Sequence, residues 1–535
     1  MQSQKIHNII HSLTNTPVLK VFLFITLFTV QAATAQTVGL VLSGGGPRGV
    51  AHIGVLKALE ENDIPIDYIT GTSMGAIIGG LYAIGYSADE IYDFFASPKM
   101  GNWISGEIDQ QFIYSFKQPF PNASWQLFKI AYDSVLRARL PTNIVSPYEM
   151  DFGFLEVFGK AGAAAGYDFD NLYIPFRCVA SDIIESCSVI LGDGHLEKAI
   201  RASMTFPFYF KPIKIDERIL FDGGMYNNFP VDVMQDTFNP DIVIGSKAAS
   251  NYTLYDSEDI ISLMQSMLTA NTSYDVDPDH GFLIEPELWS VGISDFSNTN
   301  RFIDSGYVAT LRMIGEIKAM VRRIESKEEK DEKREAFRKK IPPIRVNDII
   351  IKGVNDNQKA YVKKLIHSKK VLEKINEPGL SDDEKLNLLK KSYYAILSEK
   401  HIEYINPGLQ YDTLSKAYNF IFDLKKSNRI ELELGGLISS KAINEIFFQV
   451  EYNRWGKNAL NLMGNAYLGR FHNSGFIGAR FDFPFLVPFS IEPSYTLNSW
   501  NFFKTNTYFF EDDKPGFLIQ YDNFWSFDLS TPISR

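Results

Sequence analysis

The 535-residue chain is short of cysteine, histidine, positive charge and long apolar runs, and each shortage excludes something. Only Cys178 and Cys187 occur, so at most one disulfide can form. They flank a stretch that reads as a hairpin, FRCVASDIIESCSVIL, and either a bridge or two buried thiols fits it. Of the 8 histidines, His7 and His11 fall in the N-terminal leader. His280, His367, His401 and His472 lie far from the glycine signatures described below. His52 and His195 stand in no recognisable Ser-His-Asp order. Lys and Arg number 53 against 64 Asp and Glu, a net charge of −11, which argues against nucleic acid as the main partner. The apolar run VFLFITLFTV at 21–30 is too short for a spanning helix. With Lys5 and Lys20 before it and Ala33-Thr34-Ala35 after it, the run makes residues 1–35 read as a secretory signal peptide. No cysteine follows that cleavage site, so a lipoprotein anchor is not expected.

What the chain has is glycine in three ordered signatures: GGGPRG (Gly44, Gly45, Gly46, Pro47, Arg48, Gly49), GTSMG (Gly71 to Gly75) and DGG (Asp222, Gly223, Gly224). GTSMG fits G-x-S-x-G, in which a sharp strand-to-helix turn projects a serine hydroxyl. The context agrees, because IDYIT at 66–70 reads as a strand and MGAIIGGLYAI at 74–84 as an apolar helix. Ser73 would then sit at a helix N-terminus, where the dipole favours developing negative charge. GGGPRG follows an apolar strand at 38–42 and opens a helix at 50–61. Its letters match the dinucleotide fingerprint, but that reading expects an acidic residue ending the next strand, to hold a ribose. The next strand instead ends in Thr70-Gly71-Thr72-Ser73, with Asp67 at or before its start. The glycine loop therefore reads as an oxyanion hole, with Arg48 orienting the loop or an anionic substrate. Asp222 ends the short apolar strand Ile219-Leu220-Phe221, where burial can raise a carboxyl pKa enough for it to accept a serine proton.

With these residues in place, the region from 37 to about 250 resembles the patatin-like phospholipase family. RGVAHIGVLKALEE from Arg48 and RASMTFPFYFKPI from Arg201 carry the likeness further. The resemblance implies a three-layer α/β/α fold. It also implies a serine–aspartate dyad, with Ser73 as nucleophile and Asp222 as base, and hydrolysis of lipid acyl esters through an acyl-enzyme. Gly44, Gly45, Gly46 and Gly49 match the family oxyanion hole. DGG stands where DGA is commoner. No metal or cofactor is implied. The aromatic stretch at 206–210 and the segment at 112–140 read either as an acyl groove or as core.

Composition shifts after residue 300. Residues 305–324 read as an amphipathic helix, continued by a solvated charge run at 325–340 and ended by Pro342-Pro343. Residues 344–426 read as an α+β unit of order β-α-α-β-β that resembles a POTRA domain. From Arg429 the pattern alternates apolar with polar in roughly ten-residue segments, the signature of a transmembrane β-barrel. That part resembles the barrels of outer-membrane assembly and two-partner secretion proteins. About seven strands are found, fewer than the eight of the smallest single-chain barrels, so an incomplete antiparallel barrel is expected. The expected domains are 1–35 signal peptide, 36–304 hydrolase, 305–343 linker helix, 344–426 POTRA-like and 427–535 barrel. The chain is thus expected to be an exported, outer-membrane lipid acyl hydrolase whose catalytic domain lies in the periplasm or at the cell surface. Its expected partners are a phospholipid or other lipid ester, the outer membrane, a second copy through the barrel, and the assembly machinery that inserts barrels. A secretion protein exporting its own N-terminal domain, or a catalytically silent lipid-binding module, are the alternatives.

Overall fold

The computed structural model describes residues 36–117, 122–130, 143–249, 272–289, 291–292, 295–427, 429–438, 444–469, 471–485, 487–504 and 516–532. The expected signal peptide lies outside the described residues.

The N-terminal part is an α/β domain. Strands β1 (Val38–Leu42) and β2 (Tyr68–Thr72) are joined by a one-turn 3-10 segment (Gly46–Val50) and the helix Ala51–Glu61. Strand β3 (Ser124–Ile130) leaves this domain to pair elsewhere. The domain continues with β4 (Phe176–Asp182), β5 (Cys187–Leu191), β6 (Ile213–Ile215), β7 (Arg218–Asp222), β8 (Ile242–Ser246) and β9 (Gly281–Ile284). The sheet order is β6-β7-β4-β2-β1-β8-β9, with β5 also on β4. Its centre is parallel, and β1 and β8 are buried along their whole length. This is the continuous apolar pattern of strands covered on both faces. The helix Ala51–Glu61 buries eight of its 11 residues, against the helix Thr299–Met320 among others. There Gly54 and Gly306 let two backbones touch: a Cβ on Gly54 would lie 1.9 Å from the Ile303 carbonyl oxygen.

The charge run does not continue the preceding helix. The helix Thr299–Met320 stops, and Ser326 starts a new one, Lys327–Arg338, through a capping box with Glu329. Nor is that second helix a solvated linker. Lys330, Arg334 and Phe337 are buried. Arg334 pairs with Glu60 and lies over the rings of Tyr82 and Tyr173, and Arg338 pairs with Glu90 at 2.7 Å. Alternating charges had looked like a water-facing surface, but two of them meet complementary acids on the α/β domain.

Residues 344–426 form their own core around β10 (Val346–Lys352), β11 (Ile402–Asp412) and β12 (Ala417–Lys426), in sheet order β10-β12-β11. Three helices cover it, not two: Asp356–Leu365, Ser368–Ile375 and Asp382–Leu397. The extra one begins after His367, whose left-handed backbone (φ 48°) ends the preceding helix. Phe112, Phe152 and Leu155 of the α/β domain belong to this same core, so the two units share a packed interface.

The last part is an antiparallel sheet of β13 (Ile430–Leu437), β14 (Glu445–Trp455), β15 (Ala459–Gly469), β16 (His472–Phe483), β17 (Phe489–Lys504) and β18 (Gly516–Ser530), extended at its β13 edge by β3. Six strands come from the C-terminal region and the seventh from the segment expected to be groove or core. The stretch SWQLFKI alternates polar with apolar only in part, with a phase shift at Leu127-Phe128, and is too short to announce itself as a strand of this sheet. The burial pattern is inverted relative to a soluble sheet. Gln449, Glu451, Asn453, Asn461 and Asp482 are buried on one face. Ile446, Leu468, Ile477, Trp525, Phe527 and Leu529 are exposed on the other, between 58% and 76%.

Cys178 and Cys187 are free thiols, and Cys187 is exposed rather than buried. The β4–β5 register opposes Cys178 to Leu191 and Cys187 to Asp182. The two cysteines are thus four positions out of step, about 13 Å along the hairpin, too far for a bridge.

Candidate active site

The sheet register explains how two residues 149 positions apart meet. β2 pairs with one edge of β4 as far as Thr72 opposite Val179. β5 occupies the other edge of β4 from Cys178 to Asp182. β7, running antiparallel, must therefore share the β2 edge, and it begins where β2 stops, with Asp222 opposite Ala180. The C-terminal ends of β2 and β7 consequently face each other. Ser73 Oγ donates to Asp222 Oδ2 at 2.6 Å.

Ser73 has φ 56° and ψ −120°, a conformation that strains an L-residue by about 1–3 kcal/mol. It caps the helix Met74–Ala83, and the tight turn demands small neighbours. A Cβ on Gly75 would lie 2.3 Å from the Leu42 carbonyl oxygen, and one on Gly71 would lie 2.5 Å from that of Gly75. The helix has no acidic residue in its first turn, so its positive end faces the hydroxyl uncompensated. Ser73 is half-buried, within reach of a ligand.

Asp222 is buried. Burial pushes its carboxyl up to about 6, partly offset by the hydrogen bonds it accepts from Ser73 and from the Gly224 N–H (2.8 Å). A carboxylate so poised is ionised near neutral pH yet basic enough to take a proton. Gly223 turns the chain away from β4, where a Cβ would strike the Val179 carbonyl oxygen at 2.2 Å.

The glycine loop lies over the serine: a Cβ on Gly44 would fall 3.1 Å from Ser73 Cβ. Its donors are not equivalent. The Gly44 N–H is held by the Asn228 carbonyl at 3.0 Å and cannot also serve an oxyanion. Gly49 packs against Met74 and faces that side chain. The N–H groups of Gly45 and Gly46, at the start of the 3-10 turn, have no hydrogen-bond partner among the described residues. These two glycines are the loop's free donors. The Arg48 guanidinium is largely desolvated, which lowers its pKa, an effect that the charge interaction with Tyr274 partly opposes.

Several supporting residues gave no separate signal in the sequence. Ser203 Oγ accepts from the Ser73 N–H (3.1 Å) and donates to the Val179 carbonyl (2.6 Å). The Thr205 carbonyl accepts from the Asp222 N–H at 2.8 Å. Both lie in the RASMT stretch, whose spacing alone named no role. His52 is fully buried, with Nδ1 2.7 Å from Ser246 Oγ and Nε2 2.9 Å from the Ser43 carbonyl. Burial depresses it to about 4, so it is a neutral brace for the glycine loop and not a base. Asp67 holds the Val38 N–H and Arg323. Of the aromatic stretch, Tyr209 and Phe210 are core while Phe208 is exposed. No group of three or more candidate metal ligands occurs among the described residues.

Residues 40–234 match the family model of patatin-like phospholipases. Among curated proteins, lysophospholipase NTE1 of Candida albicans is 32% identical over 219 residues, 41% of this chain and 14% of that protein. Neuropathy target esterase sws of Drosophila melanogaster is 30% identical over 230 residues, 42% of this chain and 14% of its own length. This chain thus spans a small fraction of these relatives' length, and the likeness covers less than half of this chain. Among solved structures, VipD of Legionella pneumophila aligns with 68% of this chain and 91% of its own, at 12% identity and a TM-score of 0.28.

Proposed function

We propose that the protein is a lipid acyl hydrolase using a Ser73–Asp222 dyad. The observation that carries the proposal is the 2.6 Å hydrogen bond between a strained, half-buried serine and a buried aspartate raised to about 6. Asp222 Oδ2 takes the Ser73 proton as Oγ attacks the ester carbonyl. The Gly45 and Gly46 N–H groups receive the oxyanion. Asp222 returns the proton to the leaving alcohol, then deprotonates the water that releases the fatty acid. The family match at residues 40–234 and the lysophospholipase and esterase relatives support a phospholipid, lysophospholipid or similar lipid ester as substrate.

We further infer that the C-terminal sheet is part of an outer-membrane β-barrel, that residues 344–426 are a POTRA-like unit, and that the chain is exported. The inverted sheet supports this reading: apolar side chains project outward from alternate positions of β14 to β18, while acids and amides of β14 to β16 are buried inside. No described helix is long and apolar enough to cross a membrane. A second copy of the chain and a barrel-inserting machinery are the partners proposed with this barrel. Secretion by the barrel is compatible with hydrolysis, and the same inverted sheet favours it over a silent lipid-binding module.

The test is fatty-acid release from phospholipid vesicles by the full chain and by Ser73→Ala. The variant is expected to fold as the wild type and to lose release by at least about 10³-fold. Retained release would refute the dyad.

A further inference from the structure

The residues that hold the dyad are themselves held from the neighbouring unit. Arg201, only 1% exposed, sits in the last turn of the helix Leu196–Ser203. Its Nη1 donates to Thr205 Oγ1 at 2.6 Å, and Thr205 Oγ1 donates back to the Arg201 carbonyl at 2.6 Å. The Thr205 carbonyl in turn receives the Asp222 N–H, and Ser203, two residues from Arg201, receives the Ser73 N–H. Arg201 Nη2 also donates to the Lys211 carbonyl at 3.1 Å. The charge of Arg201 is balanced by Asp151, which accepts from Nε at 2.8 Å through Oδ1. The other oxygen, Asp151 Oδ2, accepts from the Tyr404 hydroxyl at 2.5 Å. Tyr404 lies on β11, outside the patatin-like region, and Lys211 packs over its ring at 4.1 Å.

We propose that Tyr404 is a positioning residue for the Ser73–Asp222 pair, acting through Asp151, Arg201 and Thr205, so that docking of the 344–426 unit sets the reactivity of the serine. The role rests on the hydrolase reading above. Every link is a direct hydrogen bond between groups that are buried or partly buried, and the arginine fork permits few alternative arrangements. A buried arginine whose carboxylate has lost a donor re-seats, and Thr205 and Asp222 move with it. The same interface has a contact off this route, Lys390 with Glu149 at 2.7 Å, which serves as the control.

The experiment uses the full chain in detergent and two readouts: labelling of Ser73 by a fluorophosphonate, and kcat and KM for lysophospholipid hydrolysis. In labelling, the Oγ–P bond forms, the P–F bond breaks, Asp222 takes the proton and fluoride leaves. Tyr404→Phe is expected to slow labelling and lower kcat about five-fold with KM unchanged. Lys390→Met is expected to leave both unchanged. Thr205→Val is expected to slow labelling, and adding Tyr404→Phe to it should slow it no further, because both act on one route. Equal labelling of wild type and Tyr404→Phe would overturn the positioning role and leave the hydrolase reading standing. Equal loss in Tyr404→Phe and Lys390→Met would also overturn it, in favour of general loosening of the interface. Wild type that neither labels nor hydrolyses would overturn the hydrolase reading, and the positioning role with it.

Discussion

The sheet under the dyad and the C-terminal sheet obey one rule with opposite results. In the first, β1, β2 and β8 bury apolar side chains on both faces, and polar groups gather at the strand ends, where Ser73 and Asp222 meet. In the second, Gln449, Glu451, Asn461 and Asp482 are inside and Ile477, Trp525 and Phe527 outside. The two sheets pair their polar groups in different ways. The N-terminal sheet does so by backbone pairing and a few anchored side chains. The C-terminal sheet does so by a buried network in which Glu451 accepts from Gln449, Asn461 and Lys400. The difference teaches that the two sheets expose opposite surfaces, and under the barrel reading proposed above the outer face of the second meets hydrocarbon.

The largest break in that comparison would come from charge on the outer face. Ile477→Arg is expected to weaken folding into lipid bilayers by about 2–4 kcal/mol, whereas Ser494→Arg, facing the polar interior, should have a far smaller effect. Urea titration of the vesicle-inserted protein measures both. Equal tolerance of the two would remove the membrane reading of this face.

Next comes the cost of keeping a carboxylate in the buried site. Asp222 is raised from 3.8 to about 6 in the folded chain. The folded state therefore binds the proton more tightly than the unfolded one. The stability it contributes is full below pH 4, is lost as pH rises from about 4 to 6, and is absent above. Asp222→Asn removes this loss while keeping the hydrogen-bond shape. The variant should match wild type near pH 4 and exceed it by about 1–3 kcal/mol at pH 7–8, seen as a higher Tm. A variant less stable at pH 8 than at pH 4, relative to wild type, would reverse the assignment.

The smallest effect is expected at the cysteines. Cys187 is exposed and out of register with Cys178, so Cys187→Ser should leave Tm unchanged with or without reductant. A reductant-dependent Tm in wild type, absent in the variant, would show a bridge that this fold does not permit.

Much of the dyad was legible in the sequence because its needs are local. The turn at Ser73 requires small residues at Gly71 and Gly75, and an aspartate ending an apolar strand is visible in ILFDGG. Which loop donors are free was not legible, because Gly44 is taken by a carbonyl 184 residues away. Nor was the brace of Arg201 by Asp151 and Tyr404, since no spacing links residues from two units. The alternation of β14 to β18 was legible, whereas the pairing of β3 with β13 was not, being fixed by an edge that only the assembled sheet offers. The charge run misled because helix periodicity says where charges point and not what meets them, here Glu60 and Glu90.

The most direct test of the central claim is the pH dependence of fatty-acid release by the full chain from phospholipid vesicles, wild type beside Asp222→Asn. The dyad predicts that kcat/KM of the wild type rises through a single ionisation near pH 6 and that the variant releases nothing measurable above background. Release by Asp222→Asn at the wild-type rate, or a wild-type profile flat from pH 5 to 8, would contradict it.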